Sequence, residues 1–187
     1  FTDGLYCPTH QLNTNVAALS EDREHLRIPM PDAVRPADIK GDYLLLITED
    51  DMQIAGILPH PPVARRGALA TEARSPLSLG KTAQTFARGA MNDACAGTAI
   101  IETPFWADAL IAACDAARVK TIVTGYAPVG PVATSLSDAA PDLAAAGITV
   151  QHVRRPFDTI AWPHATKGFF KMKKGIPSIL QQLDLGT

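Results

Sequence analysis

A parallel α/β sheet, doubly wound with helices on both faces, is the fold class this sequence predicts, and three observations predict it. Short apolar runs, such as those within 43–48 and 120–125, are bounded by polar or turn residues in the manner of buried strands. Ala-rich stretches of helical period separate these runs, with the rhythm of strand–helix–strand units. The chain is 47% hydrophobic but only 6% aromatic, so small side chains let helices lie close to a sheet.

The elements follow in order. Residues 1–40 carry little regular pattern, and "REHLRIPMPDAVRPADIKGD" holds three prolines and mixed charge. An extended arm or linker is expected there, ahead of an α/β domain over 41–187. Tyr43 to Ile47 is a continuous apolar run followed at once by acids, which predicts a buried strand over 43–48. Residues 59–79, with Pro59, Pro61 and Pro62 and then Arg65, Arg66 and Gly67, read as loop. "SLGKTAQTFARGAMNDACAG" reads as a helix, with Leu79, Ala83, Phe86, Ala87, Ala90 and Ala94 near helical spacing and Gly97 as its stop. A second strand is expected over 98–102. "PFWADALIAACDAARV" then reads as a helix with Pro104 in its first turn. A third strand is expected over 120–125 and a fourth over 148–153. Between these two, "GPVATSLSDAAPDLAAAG" is helical, with Pro141 expected to interrupt or restart it.

Bulk charge narrows the function. The chain has 187 residues and net charge −2, so any contact with a polyanion must be local. Cys7, Cys95 and Cys114 are odd in number and far apart, with no zinc spacing; reduced thiols and a cytoplasmic setting are expected. No apolar run has the length of a membrane span, and the first residues lack the basic start and apolar middle of a signal peptide. A start without Met fits a fragment or a processed product.

In open parallel sheets, ligands bind beyond the carboxyl ends of the strands. That rule selects Thr48 and Glu49 after the first strand, and Glu102 and Thr103 after the second. It also selects Thr124, Gly125 and Tyr126 after the third, with Gly130 just before the following helix. The stretch "TGYAPVGP" has two readings: free amides at Gly130 facing a phosphate, or a strand-to-helix turn needing flexible residues. "LGKT" at 79–82 lacks the earlier Gly of a P-loop, since Ser75 stands there, so Lys81 reads as an exposed residue in a first helical turn. Glu49, Asp50 and Asp51 read as solvated loop acids rather than Mg²⁺ ligands, because consecutive residues rarely converge on one ion. His152 sits on a strand, on a sheet face or in the core, and His164 lies beside Trp162. No Ser/His/Asp or Cys/His arrangement follows from spacing, so no catalytic residue is predicted.

The closing segment "WPHATKGFFKMKKGIPSIL" differs from the rest. Lys167, Lys171, Lys173 and Lys174 crowd around Phe169 and Phe170, and no acid follows until Asp184. If extended, Phe170 and Met172 face apolar surface while Phe169 shares a face with the lysines, able to stack on a base or a flavin ring. If helical, Phe169, Phe170, Ile176 and Ile179 dock on the sheet. Either way the lysines are expected to be exposed and one Phe buried, and Lys167, Phe169, Lys171, Lys173 and Lys174 are candidates for contact with nucleic acid or a partner.

From residue 42 onward the order of pieces resembles the N-terminal, antenna-binding, Rossmann-like α/β domain of the DNA photolyase and cryptochrome family. "IVTGYAPVGPVATSLSDAAPDLAAAGITVQHV" looks like that family's strand, Tyr-x-Pro turn, long helix and "GI" strand. "FDTIAWPHATKGFFKMKKGIP" resembles the segment where the family leaves its α/β domain. After the first strand the family usually carries Arg-Asp-Leu-Arg, whereas Thr48-Glu49-Asp50-Asp51-Met52 stands here, which puts activity depending on that loop in doubt. The resemblance implies part of a flavoprotein for light-driven DNA repair or light sensing. It implies an antenna chromophore (folate, deazaflavin or flavin) on this domain and FAD on a helical partner domain, with no catalysis from this chain alone. The rival readings are a stand-alone nucleotide- or flavin-binding module and a structural, partner-binding domain without ligand.

Overall fold

The computed structural model describes residues 29–165 and 168–185; most of the N-terminal arm and Lys167 lie outside the described residues. Five strands form one sheet: β1 Leu44–Thr48, β2 Ala64–Ala68, β3 Ile100–Ile101, β4 Thr121–Gly125 and β5 Thr149–Val153. Their order is β3-β2-β1-β4-β5 and every pairing is parallel. The four strands read from the sequence are all present, though β3 keeps only two residues of its expected five. Helices α1 Lys81–Ala94, α2 Ala107–Ala117, α3 Pro131–Ala145, α4 Pro156–Ala161 and α5 Phe169–Gln182 complete the fold. This is the doubly wound, Rossmann-like arrangement expected.

β1 lies mid-sheet and is buried on both faces, which is why its sequence is a continuous apolar run rather than an alternating one. Leu44 and Leu46 face one core, with Leu110 of α2 and Leu136 and Leu143 of α3. Leu45 and Ile47 face the other, with Met91 of α1 and Ile54 of the 3₁₀ turn Ile54–Ile57. Each fully buried Leu or Ile contributes about 1.5–3 kcal/mol relative to exposure, so the central strand anchors both layers. Cys95 and Cys114 are buried, one in each core, and burial raises both thiol pKa values. They act as small apolar groups rather than nucleophiles.

Four expectations are corrected. The stretch 59–79 is not all loop, because it contains β2. Its sequence, Ala64-Arg65-Arg66-Gly67-Ala68, has no apolar run to announce a strand. Packing explains Gly67: a Cβ there would lie 2.7 Å from Cys95 Sγ and 3.0 Å from Met91, so α1 reaches the sheet only over a glycine. Pro141 does not interrupt α3, which runs unbroken from Pro131 to Ala145. Its buried stripe of Val132, Leu136, Ala139 and Leu143 holds the helix while Pro141 faces solvent. Pro104 is not in the first turn of α2, which starts at Ala107 after the buried Trp106.

The fourth correction concerns the tail. It is neither extended nor docked through its phenylalanines: it is helix α5, with Phe169 66% and Phe170 80% exposed. Ile179, 3% exposed, is the anchor instead. Lys171, Lys173 and Lys174 are exposed as expected. Within the arm, Val34 pairs with Val153 as a bridge on the free edge of β5, its N–H donating to His152 O at 2.8 Å.

Candidate functional site

At the carboxyl ends of the strands, the molecule presents two different surfaces. The winding direction reverses between β1 and β4, and this switch point is where neighbouring loops diverge. Here the gap is filled. Asp51, just beyond β1, accepts two hydrogen bonds from Arg155, just beyond β5: Nε to Oδ2 at 2.9 Å and Nη2 to Oδ1 at 2.5 Å. The clasp crosses over the end of β4, and Gly125 leaves room for it. A Cβ on Gly125 would lie 3.0 Å from Asp51 Cβ. The Asp51 carboxylate holds the Arg155 guanidinium above its ordinary pKa, chiefly through that hydrogen bond.

Arg154 closes the same side. It is buried, donates to Pro31 O at 2.7 Å and to Thr159 Oγ1 at 3.2 Å, and lies 5.8 Å from the Tyr126 ring and 5.9 Å from the Trp162 ring. Those two rings meet edge to face at 5.6 Å. One guanidinium thus joins the arm, the end of β4 and the turn after α4.

The other surface lies over β2 and β3. Between α1, α3 and the 3₁₀ turn Thr71–Arg74 is an open cleft of about 240 Å³. Gln84 and Arg88 reach it from α1, Glu102 and Pro104 from the end of β3, and Ser135 from α3. Gln84 and Arg88 are four residues apart, so the helix places both on one face. Arg88 and Glu102 form a forked pair across the cleft, with Nε to Oε1 at 3.0 Å and Nη2 to Oε2 at 2.5 Å. The hydrogen bond to Arg88 holds the Glu102 carboxyl below its usual range. Gln84 Nε2 donates to Glu72 Oε1 at 3.3 Å.

Glu49 builds the wall of this cleft. Its side chain, 4% exposed, turns from the end of β1 toward the segment after β2. Oε1 accepts Ala70 N–H at 3.1 Å and Arg74 Nε at 3.3 Å, and Oε2 accepts the Thr71 hydroxyl at 2.5 Å. The expectation of solvated loop acids therefore fails for Glu49, whose burial three donors compensate, and for Asp51, which the Arg155 clasp holds. Asp50 pairs loosely with Arg74 at 3.7 Å, and burial raises its pKa.

The strand-end residues read from the sequence divide between these surfaces. Glu102 lines the cleft directly and Glu49 supports it. Thr48 is buried beneath. Thr103 turns its hydroxyl to Phe105 O at 2.9 Å and helps shape the approach to α2. Gly125 and Tyr126 belong to the closed side. Thr124 is fully buried, and its Oγ1 has no hydrogen-bond partner among the described residues. Gly130 precedes the first residue of α3, where Thr134 returns its hydroxyl to Gly130 O at 3.2 Å. Phe169, Lys171, Lys173 and Lys174 lie on α5 and do not line the cleft. Arg88, Gln84 and Ser135 were not anticipated as site residues. The available signal was the i,i+4 placement of Gln84 and Arg88 alongside Met91, on the helix face turned to the sheet.

Among the described residues no group of three or more His, Cys, Asp or Glu side chains could hold a metal ion, and no helix is long and apolar enough to cross a membrane. The cleft offers paired charges, an amide, a hydroxyl and an apolar floor from Leu69, Ala70 and Pro104. That combination can hold a small ring system and hydrogen-bond its rim. No protein-family model, curated protein or solved structure matches this chain.

Proposed function

We propose that this chain is the α/β domain of a photolyase- or cryptochrome-like flavoprotein, and that its own part is to hold an antenna chromophore in the cleft over β2 and β3. The open cleft beside a closed switch point is the observation that carries this reading. It leaves one strand-end surface free for a planar molecule, with Arg88, Glu102 and Gln84 at its rim. The parallel Rossmann-like sheet is the architecture the resemblance implies for this domain, and the Tyr126–Pro128 stretch that suggested it follows β4. On this reading FAD and damaged DNA belong to a helical partner domain, and the chain performs no chemistry alone.

The cleft fits one ring system and leaves any tail of the ligand in solvent, since typical whole-ligand pockets run from about 300 to 1,000 Å³. The test is an absorbance spectrum of the purified chain, followed by titration with a reduced folate, a deazaflavin and flavin mononucleotide. One of the three should bind, and Arg88→Ala should weaken that binding at least tenfold. Binding of a plain nucleotide in place of all three would favour a stand-alone nucleotide module. Binding of none would make this a partner-binding domain without ligand.

A further inference from the structure

We propose that the basic face of α5 binds single-stranded nucleic acid, with Phe170 as a stacking platform and Lys173 and Lys174 as phosphate contacts. The inference stands apart from the cleft and does not depend on what the cleft holds.

The helix has two faces of opposite character. Met172, Ile176, Ile179 and Leu183 recur at helical spacing, with Ile179 buried, Met172 and Leu183 half-buried and Ile176 at the exposed edge; this stripe turns toward α4 and the turn after it. Phe170 lies nine positions from Ile179, about two and a half turns, and so points the opposite way. Lys173 and Lys174, at i+3 and i+4 from Phe170, flank its ring on that outer face. Phe169 meets Phe170 edge to face at 5.7 Å.

An exposed aromatic on the basic face, opposite the apolar stripe, has no docking role within this domain. A helix that lies in a lipid surface would carry both aromatics with the apolar stripe, whereas here only Phe169 lies beside it, three and seven positions from Met172 and Ile176, and Phe170 does not. A stacking ring between cations instead matches a strand that offers unpaired bases and phosphates in alternation. Charge placement agrees. Residues 159–183 hold four lysines and no acid, in a chain of net charge −2. Lys173 and Lys174 sit in the first two turns of α5, the end where the helix dipole disfavours cations, and no side chain caps that end among the described residues. An anion there offsets both costs.

The experiment follows the anisotropy of a fluorescein-labelled oligothymidylate titrated with the full chain at several salt concentrations. The chain should bind, and more weakly as salt rises. Lys173→Gln with Lys174→Gln should make the log–log salt dependence shallower by about 1.4, at about 0.7 per phosphate contact on a single strand. Phe170→Ala should weaken binding about five- to a hundredfold and leave that slope unchanged. All three side chains are exposed, so thermal unfolding should match the parent and exclude a folding defect. Failure to bind the oligonucleotide, or equal affinity for all three proteins, overturns the proposal. So does binding to phosphatidylserine vesicles in place of the oligonucleotide.

Discussion

The ends of β4 and β5 and the ends of β2 and β3 belong to one parallel sheet and have opposite fates. Over β4 and β5, Asp51, Arg155, Arg154, Tyr126 and Trp162 interlock and fill the space the topology leaves. Over β2 and β3, Glu49 pulls the chain after β2 into shape but stays beneath the surface, and the cleft above remains open. The difference teaches that a switch point supplies only the opportunity for a crevice. Side-chain lengths and charges at the strand ends decide which gap survives.

Four changes break or sharpen this contrast. Glu49→Ala has the largest expected effect. It strips the Ala70 amide and the Thr71 hydroxyl of their acceptor in a buried setting, at a cost of about 2–3 kcal/mol. The unfolding midpoint in urea should fall, and the cleft should lose its wall. Asp51→Ala comes next, at about 1–2 kcal/mol, because Arg155 is 32% exposed and water recovers part of the loss. It should open the switch point without touching the cleft.

His152 gives a smaller, pH-dependent effect on the closed side. Burial lowers its pKa below the ordinary 6.5, so protons bind the unfolded chain more readily than the folded one. Stability should therefore be constant above pH about 6.5 and decline as the pH falls below it. Replacing His152 with Gln should flatten that decline in a series of urea melts. Arg88→Ala is expected to leave the unfolding midpoint unchanged, since the pair with Glu102 is exposed, while still removing ligand affinity. A variant that alters function without altering stability would mark the open side as a binding surface.

Much of the fold was legible because β1 is a continuous apolar run, β4 and β5 are short stretches rich in β-branched residues, and α1 to α3 are Ala-rich. β2 was not. Arg65 and Arg66 put charge into a strand, and Gly67 reads as a turn until Cys95 and Met91 are seen pressing on it. The tail misled for a related reason. Residues 169–174 read as alternating in an extended chain and as two-faced in a helix, and only the docking of Ile179 decides between them. At the site, Glu102 and Glu49 were visible as polar residues at strand ends. Their roles were not, because Arg88 meets Glu102 from 14 residues away and Thr71 meets Glu49 from 22. The Asp51–Arg155 clasp joins residues 104 apart, and no local pattern announces a contact of that range.

The central claim is that ligand enters over β2 and β3 and not at the switch point. The most direct measurement is a two-dimensional amide NMR spectrum of the full chain, recorded while the bound chromophore is titrated in. The account predicts shifts concentrated at Ala70, Thr71, Gln84, Arg88 and Glu102, with Asp51, Gly125 and Tyr126 unmoved. Shifts concentrated at Asp51, Gly125 and Tyr126, with the cleft residues still, would contradict it.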